Sequence, residues 1–167
     1  GLDAAVTYAM EPRTRRQRRL GAFAYIVAGL ATATHLAGTR TRIWIDDQRV
    51  YRRSILIVVS NSRIYSAGLT MATDARLDDG FLDVDVFAGT GFVASMRTAL
   101  GVITGLHVRD PRHSYYRGRN IHIESDRPLA VHIDGEPFGT TPLDCQVIPG
   151  GLTVLLPRHP RAELFAD

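Results

Sequence analysis

The chain has 167 residues, of which 45% are hydrophobic, and this is enough to bury the core of one domain and argues against a disordered chain. Its 20 basic residues are all arginine and outnumber the 17 acidic residues by three, an excess too small to indicate nucleic acid as a partner. The single cysteine, Cys145, excludes an internal disulfide and favours a reducing, cytoplasmic setting.

The first forty residues combine a predicted strand, an arginine run and a predicted helix. The strand-like stretch "GLDAAVTYAM" opens the chain without a signal-peptide pattern, so we expect a piece of a longer or processed protein. Five arginines between positions 13 and 19 crowd the start of a helix predicted from Thr14 to His35. The run is interpreted first as a solvated face. Because cations at a helix N-terminus oppose the helix dipole, a contact with anionic lipid or nucleotide phosphates is the alternative.

The stretch from Leu20 to Gly38 contains no Asp, Glu, Lys or Arg and is long enough to span a bilayer. Its strongly apolar residues sum to at most about −3 kcal/mol on the insertion scale, before its polar residues subtract from that value. We therefore predict a buried or half-buried helix that is closed by Gly38. Any membrane contact is expected to be peripheral.

From Thr39 onward the hydrophobic period changes from helical to two, which is typical of strands. "TRTRIWIDD" and "RVYRRSILIVVSN" are predicted as paired strands joined by a polar turn at residues 46–48. "FLDVDVFAG" is a further predicted strand, with Leu82, Val84 and Val86 on one face.

The second half of the chain contains one more predicted helix and four short predicted strands. "FVASMRTALGVIT" returns to helical spacing between Gly91 and Gly105. The strands are "RNIHIES", "LAVHIDGE", "PLDCQVIP" and "LTVLLPR". Many short strands with about two helices predict a mainly β (α+β) fold, an antiparallel β-sandwich-like single domain over residues 1–167.

Candidate chemistry in this sequence rests on carboxylates. The six histidines lack the close pairs and accompanying cysteines of a zinc site, and no nucleophile elbow, phosphate-cradling glycine loop or HExxH motif occurs. Two Asp-Gly dipeptides remain, in "LDDGF" and "HIDGEP". Each is interpreted either as a turn, which glycine permits, or as a functional carboxylate, such as a ligand for a hard cation.

The order of several motifs resembles a known family over nearly the whole chain. "GLDA", "LGAFAY", "NSRIYSAGLTMATDARLDDGFLDV", "HIDGEP" and "VIPGGLTVLLP" follow one another as in the C-terminal domain of bacterial diacylglycerol kinase-like lipid kinases, a family that includes sphingosine kinases. The resemblance implies a β-rich sandwich that closes one side of a cleft between two domains. It also implies a separate N-terminal domain that carries a GGDGT nucleotide signature, which this sequence does not contain.

The resemblance implies phosphoryl transfer from Mg-ATP to the hydroxyl of a diacylglycerol-like or sphingoid lipid. Asp134 and Glu136 are the implied catalytic carboxylates, and either is a candidate for the base that deprotonates the hydroxyl. A strand that continues without a bulge would put both acids on one face with His132. The chain alone is expected to be inactive, because ATP would be bound mainly by the N-terminal domain.

The family's structural Mg²⁺ site matches Arg76, Asp79 and Phe81, the aspartate through its side chain and the other two through backbone carbonyls. The implied partners are the lipid substrate and the N-terminal kinase domain, with a membrane surface and a homodimer left open. An NAD kinase-like nucleotide kinase domain, which shares the architecture by resemblance, is one alternative. A non-catalytic β-sandwich module that binds anionic membranes or nucleic acid through its arginine run is the other.

Overall fold

The structure is a computed structural model that describes residues 38–65, 69–159 and 161–166. The predicted strand at the start of the chain, the arginine run and the helix predicted from Thr14 to His35 lie outside the described residues. Within the described ranges, no helix is long and apolar enough to cross a membrane.

The described residues form eight strands, one α-helix and two short 3-10 segments. Their bounds are β1 Thr39–Ile45, β2 Gln48–Ser60, β3 Leu82–Ala88, α1 Gly91–Thr104, a 3-10 segment Leu106–Arg109, β4 His113–Gly118, β5 Asn120–Ser125, β6 Ala130–Ile133, β7 Glu136–Thr140, β8 Leu143–Gln146 and a 3-10 segment Ala162–Leu164. Six strands make one antiparallel sheet in the order β4-β3-β2-β1-β5-β8, and β6 pairs with β7 in a separate hairpin. The predicted antiparallel, mainly β class is confirmed.

The first hairpin confirms the predicted pairing of β1 with β2, but its turn is tighter than predicted. Gln48 already pairs with Ile45 as the first residue of β2, so the turn consists of Asp46 and Asp47 alone. The carboxylate of Asp46 accepts hydrogen bonds from the amides of Asn120 and Arg119, at 2.8 and 3.0 Å. These two bonds lower the pKa of Asp46. They fix the turn to the start of β5.

The six-stranded sheet is packed on both faces, with Val84 and Val86 of β3 in one cluster and Phe87 in the other. One cluster contains Ile43, Ile45, Val50, Val84, Val86, Ile121 and Ile123. The other contains Ile55, Val58, Met71, Phe87, Ala94 and Val102, and so includes α1. The face predicted for Leu82, Val84 and Val86 is confirmed, since Leu82 packs against the first cluster.

In the second half of the chain, the predicted helix is confirmed and one predicted strand is wrong. Helix α1 has the predicted position and ends at Gly105, whose φ of 71° closes the helix in the left-handed region. The strand predicted from "LTVLLPR" is wrong, because residues 152–158 join no ladder among the described residues. Leu152 and Leu155 of this segment are exposed. Apolar alternation indicates strand propensity, but a strand also requires a neighbouring edge to pair with.

Candidate functional site

The turn between β6 and β7 consists of Asp134 and Gly135, with φ values of 49° and 88°. Two positive φ values in succession define a type I′ turn, which Asp-Gly favours because glycine has no Cβ and aspartate tolerates the left-handed region. The amide of Gly135 donates a hydrogen bond to Nδ1 of His132 at 3.2 Å. The predicted hairpin turn is therefore confirmed.

Asp134 and Glu136 do not continue one strand, so the predicted shared face with His132 is wrong. β6 ends at Ile133, the turn follows, and Glu136 begins β7 directly opposite Ile133. Cross-strand partners lie on the same face of a hairpin. Since the partner of His132 is Pro137, Glu136 and His132 lie on opposite faces.

The exposed part of this hairpin combines acidic and apolar side chains. Glu136 is exposed, and it lies across the turn from Ile133 and two residues before Phe138. Ile133 and Phe138 are themselves 49% and 63% exposed. A hairpin that exposes a carboxylate together with large apolar side chains suits a ligand that has both a polar group and an apolar chain.

In the second Asp-Gly segment, the carboxylate of Asp79 is held by two donors of different kinds. One oxygen accepts a hydrogen bond from the amide of Phe81 at 3.0 Å, which closes a turn over Gly80, whose φ is 73°. The other oxygen accepts a hydrogen bond from the guanidinium of Arg117. The segment from Arg76 to Phe81 is called the Asp79 loop below.

The end of the described chain packs along the Asp79 loop. The guanidinium of Arg76 donates a hydrogen bond to the carbonyl of Phe165. The carboxylate of Asp78 accepts one from the amide of Ala166 at 2.7 Å. These bonds hold the loop in place immediately before Asp79. The Arg76 side chain is engaged in this packing, which is compatible with a predicted ligand role for its backbone carbonyl.

The three predicted ligands of the Asp79 loop suit a hard cation chemically. A carboxylate and two backbone carbonyls are oxygen donors of the kind that Mg²⁺ takes together with water. Oδ2 of Asp79 already accepts a hydrogen bond from a positive group, the guanidinium of Arg117. In the part of the chain that the structure describes, no group of three or more His, Cys, Asp or Glu side chains could hold a metal ion. The Mg²⁺ site at this loop stays a prediction.

A buried polar layer behind the Asp79 loop was missed by the sequence analysis. Asp83 and Asp85, alternate residues of β3, are 0% and 1% exposed. The Tyr115 hydroxyl donates a hydrogen bond to Asp83, and Nε2 of His113 lies 2.7 Å from Oδ1 of Asp85. The pKa of Asp83 is raised, because burial raises it by more than the hydrogen bond from Tyr115 and the charge of Arg117 lower it. The polar residues at alternate positions of "LDVDV" and "HSYYR" were the sequence signal that could have predicted this layer.

A second polar cluster lies on β1, β5 and β8, where His122 pairs with Trp44 on one side and with Asp144 on the other. Nδ1 of His122 lies 2.6 Å from Oδ1 of Asp144, and Nε2 lies 3.4 Å from Oε1 of Glu124. The hydrogen bond to Asp144 raises the pKa of His122, and Glu124 acts in the same direction. The charged imidazolium is therefore favoured by the folded state.

His122→Gln is expected to lower the melting temperature by about 1–3 °C at pH 5.5 and by less at pH 9. A raised folded-state pKa stabilises the fold fully below the unfolded-state pKa, and this contribution is lost as the pH rises through the folded-state value. Thermal unfolding followed by circular dichroism at both pH values measures the difference. Asp144→Asn should show the same pH dependence, and an equal loss at both pH values would contradict the role of the charged His122.

The antiparallel sheet, the type I′ hairpin and the Asp79 loop define a β-sandwich-like domain that exposes carboxylates at its hairpin. The chain belongs to the family described as YegS C-terminal NAD kinase beta sandwich-like domain, whose family model matches residues 1–156. The family predicted from the order of the motifs is thereby confirmed.

Relatives of the chain carry the names of lipid kinases. The chain is 27% identical over 140 residues to "Diacylglycerol kinase" of Mycobacterium tuberculosis. The aligned residues make up 83% of this chain and 45% of that protein. The chain is 29% identical over 141 residues to "Probable lipid kinase YegS-like" of Pseudomonas aeruginosa, with the same two shares. The crystal structure of a diacylglycerol kinase from Bacillus anthracis str. Sterne has the same fold, with a TM-score of 0.61 and 24% identity over 82% of this chain and 47% of that chain. The chain spans about half the length of these relatives.

Proposed function

We propose that this chain is the C-terminal domain of an ATP-dependent lipid kinase that phosphorylates the hydroxyl of a diacylglycerol-like or sphingoid lipid. Family membership and the names of the relatives support this class. The observation that carries the proposal is the exposed carboxylate of Glu136 on a hairpin that also exposes two large apolar side chains, Ile133 and Phe138. Because the chain covers 45% of its relatives, ATP is proposed to bind mainly to a separate N-terminal domain.

Glu136 is the proposed general base, and Asp134 is the residue that shapes the turn. The positive φ of the turn explains why an aspartate stands at position 134. The first position of β7 requires no particular residue type, so the turn does not explain Glu136. In the proposed step the carboxylate of Glu136 accepts the proton of the lipid hydroxyl as that oxygen attacks the γ-phosphorus. The new oxygen–phosphorus bond forms while the bond to the oxygen of the departing ADP breaks.

The Asp79 loop is the proposed Mg²⁺ site of this domain. The carboxylate of Asp79 and the backbone carbonyls of Arg76 and Phe81 would hold the ion. When bound, Mg²⁺ supplies positive charge that fixes the loop. Asp79 itself also orders the loop, because it accepts the hydrogen bond from the amide of Phe81.

The N-terminal domain is proposed to cover an apolar segment near the end of the described chain. Five side chains of this segment are at least half exposed: Ile148, Leu152, Val154, Leu155 and Leu156. Burial of such side chains against a partner removes apolar surface from water, which is favourable by about 25 cal/mol per Å². The proposed partners of the domain are therefore the N-terminal half and the lipid substrate at a membrane surface.

Phe138→Ser in the full-length protein is expected to raise KM for the lipid by about tenfold, with little change in kcat. The exposed ring of Phe138 would contact the apolar part of the substrate equally in the ground state and in the transition state, so its loss weakens binding alone. Steady-state kinetics with a diacylglycerol in mixed micelles measures both constants. Tyr51→Ser is the matched control, because Tyr51 is a similarly exposed aromatic residue on β2, at 59%. An unchanged KM in Phe138→Ser, or equal increases in both variants, would contradict the lipid contact.

A further inference from the structure

Arg117 of β4 lies between two carboxylates that differ in burial. Its Nη2 donates a hydrogen bond to Oδ2 of Asp79, and its Nε lies 3.4 Å from Oδ1 of Asp83. Arg117 and Asp83 are direct partners in the ladder of β3 with β4, so both side chains lie on the same face of the sheet. The guanidinium thus bridges the Asp79 loop and the buried polar layer.

Asp83 retains one carboxylate oxygen that has no hydrogen-bond partner among the described residues, Oδ2. The side chain of Asp83 is 0% exposed, whereas those of Asp79 and Arg117 are 12% and 37% exposed. The other oxygen of Asp83 accepts the hydroxyl of Tyr115. A buried oxygen without a partner is costly, because it has lost water and gained no donor. Because the Nε of Arg117 already lies 3.4 Å from Oδ1 of Asp83, this under-satisfied buried carboxylate offers the guanidinium a second favourable partner.

Phe81 provides a surface along which a guanidinium can shift between these positions. The guanidinium carbon of Arg117 lies 4.9 Å from the centroid of the Phe81 ring, and that of Arg119 lies at the same distance. Attraction to the face of a ring holds a cation without tying it to one oxygen atom. Of the two arginines, Arg117 is the one that bonds to Asp79.

We infer that Arg117 is a built-in competitor of the divalent cation at Asp79, and that its guanidinium leaves Asp79 and pairs with the carboxylate of Asp83 alone when the cation binds. The inference rests on the proposed Mg²⁺ role of the Asp79 loop. A guanidinium and a divalent cation compete for one carboxylate oxygen, because like charges at such a separation repel each other. Without the cation, Arg117 neutralises Asp79. The apparent affinity for the cation is then lowered by the release of Arg117.

Arg117→Gln tests this competition, with Arg119→Gln as the matched control that removes the same charge beside the same ring. Mn²⁺ is the probe, and its binding to the 167-residue chain is followed by electron paramagnetic resonance, with Mg²⁺ added as the displacing ion. We expect Arg117→Gln to bind Mn²⁺ at least about threefold more tightly than the wild type, since an opposing ion pair is removed. Arg119→Gln should change the affinity by less, and Asp79→Ala should abolish the binding.

Several results would overturn the competition. They are equal Mn²⁺ affinity in the wild type and Arg117→Gln, equal gains in both arginine variants, or binding that survives Asp79→Ala. A measurement on the wild type alone avoids any loss of folding in the variants. Addition of Mg²⁺ is expected to shift the Nε–H resonance of Arg117 more than that of Arg119 in an NMR spectrum, and equal or absent shifts would overturn the inference. Lipid phosphorylation by the full-length protein, measured separately, reports on the proposed function and not on the competition.

Discussion

Glu136→Gln in the full-length protein is expected to lower kcat by about 10²–10⁴-fold, because the amide keeps the shape of the side chain but cannot accept the proton of the lipid hydroxyl. Folding should be unaffected, since an exposed residue at the edge of a turn contributes within about 0.5 kcal/mol to the free energy of unfolding. The measurement is kcat at saturating ATP and lipid, with the melting temperature of each variant determined in parallel.

Asp134→Asn is the matched control for Glu136→Gln. Asparagine is itself favoured in type I′ turns, so this variant is expected to keep both its melting temperature and a kcat near that of the wild type. A large loss of kcat in Asp134→Asn with none in Glu136→Gln would assign the base to Asp134 instead. Wild-type turnover in both variants would mean that "HIDGEP" is a hairpin turn without a catalytic role.

Elements whose signals lie close together in the chain could be predicted from the sequence. The hairpin of β1 and β2, the type I′ turn at Asp134 and the end of α1 at Gly105 each depend on a few neighbouring residues. In such segments backbone geometry selects the residue, because few residue types tolerate a positive φ. The segment 152–158 shows the limit of this approach, since pairing depends on a distant edge that the local pattern does not encode.

The site was predicted less completely than the fold, and Asp83 shows the physical reason. An aspartate that alternates with valine along a strand is typically interpreted as part of a solvated face. Here it is fully buried, because Tyr115 and Arg117 reach it from β4, more than thirty residues later in the chain. Only the register of β3 with β4 brings these groups together. The predicted shared face of His132 and Glu136 failed for a related reason. The chain reverses at the turn, so that Glu136 pairs with Ile133 and does not lie on the face of His132.

The 167-residue chain by itself is expected to transfer no phosphate from ATP, whereas the chain joined to the proposed N-terminal kinase domain is expected to be active. Phosphoryl transfer depends on positioning and charge stabilisation, which can contribute effective molarities of about 10⁵–10⁸ M. The proposed base, Glu136, would supply a proton acceptor but would not hold the triphosphate. Transfer of labelled γ-phosphate is measured for the chain alone, for the joined protein and for the joined protein with Glu136→Gln. Robust transfer by the chain alone would contradict the division of the site between two domains.

Identification of the phosphorylated acceptor tests the proposed function most directly. The joined protein is incubated with γ-labelled ATP and Mg²⁺ in the presence of a diacylglycerol, a sphingoid base and NAD at equal concentrations, and the labelled products are separated. We predict that the label is found in a lipid phosphate, that it is lost in Glu136→Gln, and that NADP carries none. Label in NADP with no labelled lipid would contradict the lipid kinase and would identify a nucleotide kinase instead.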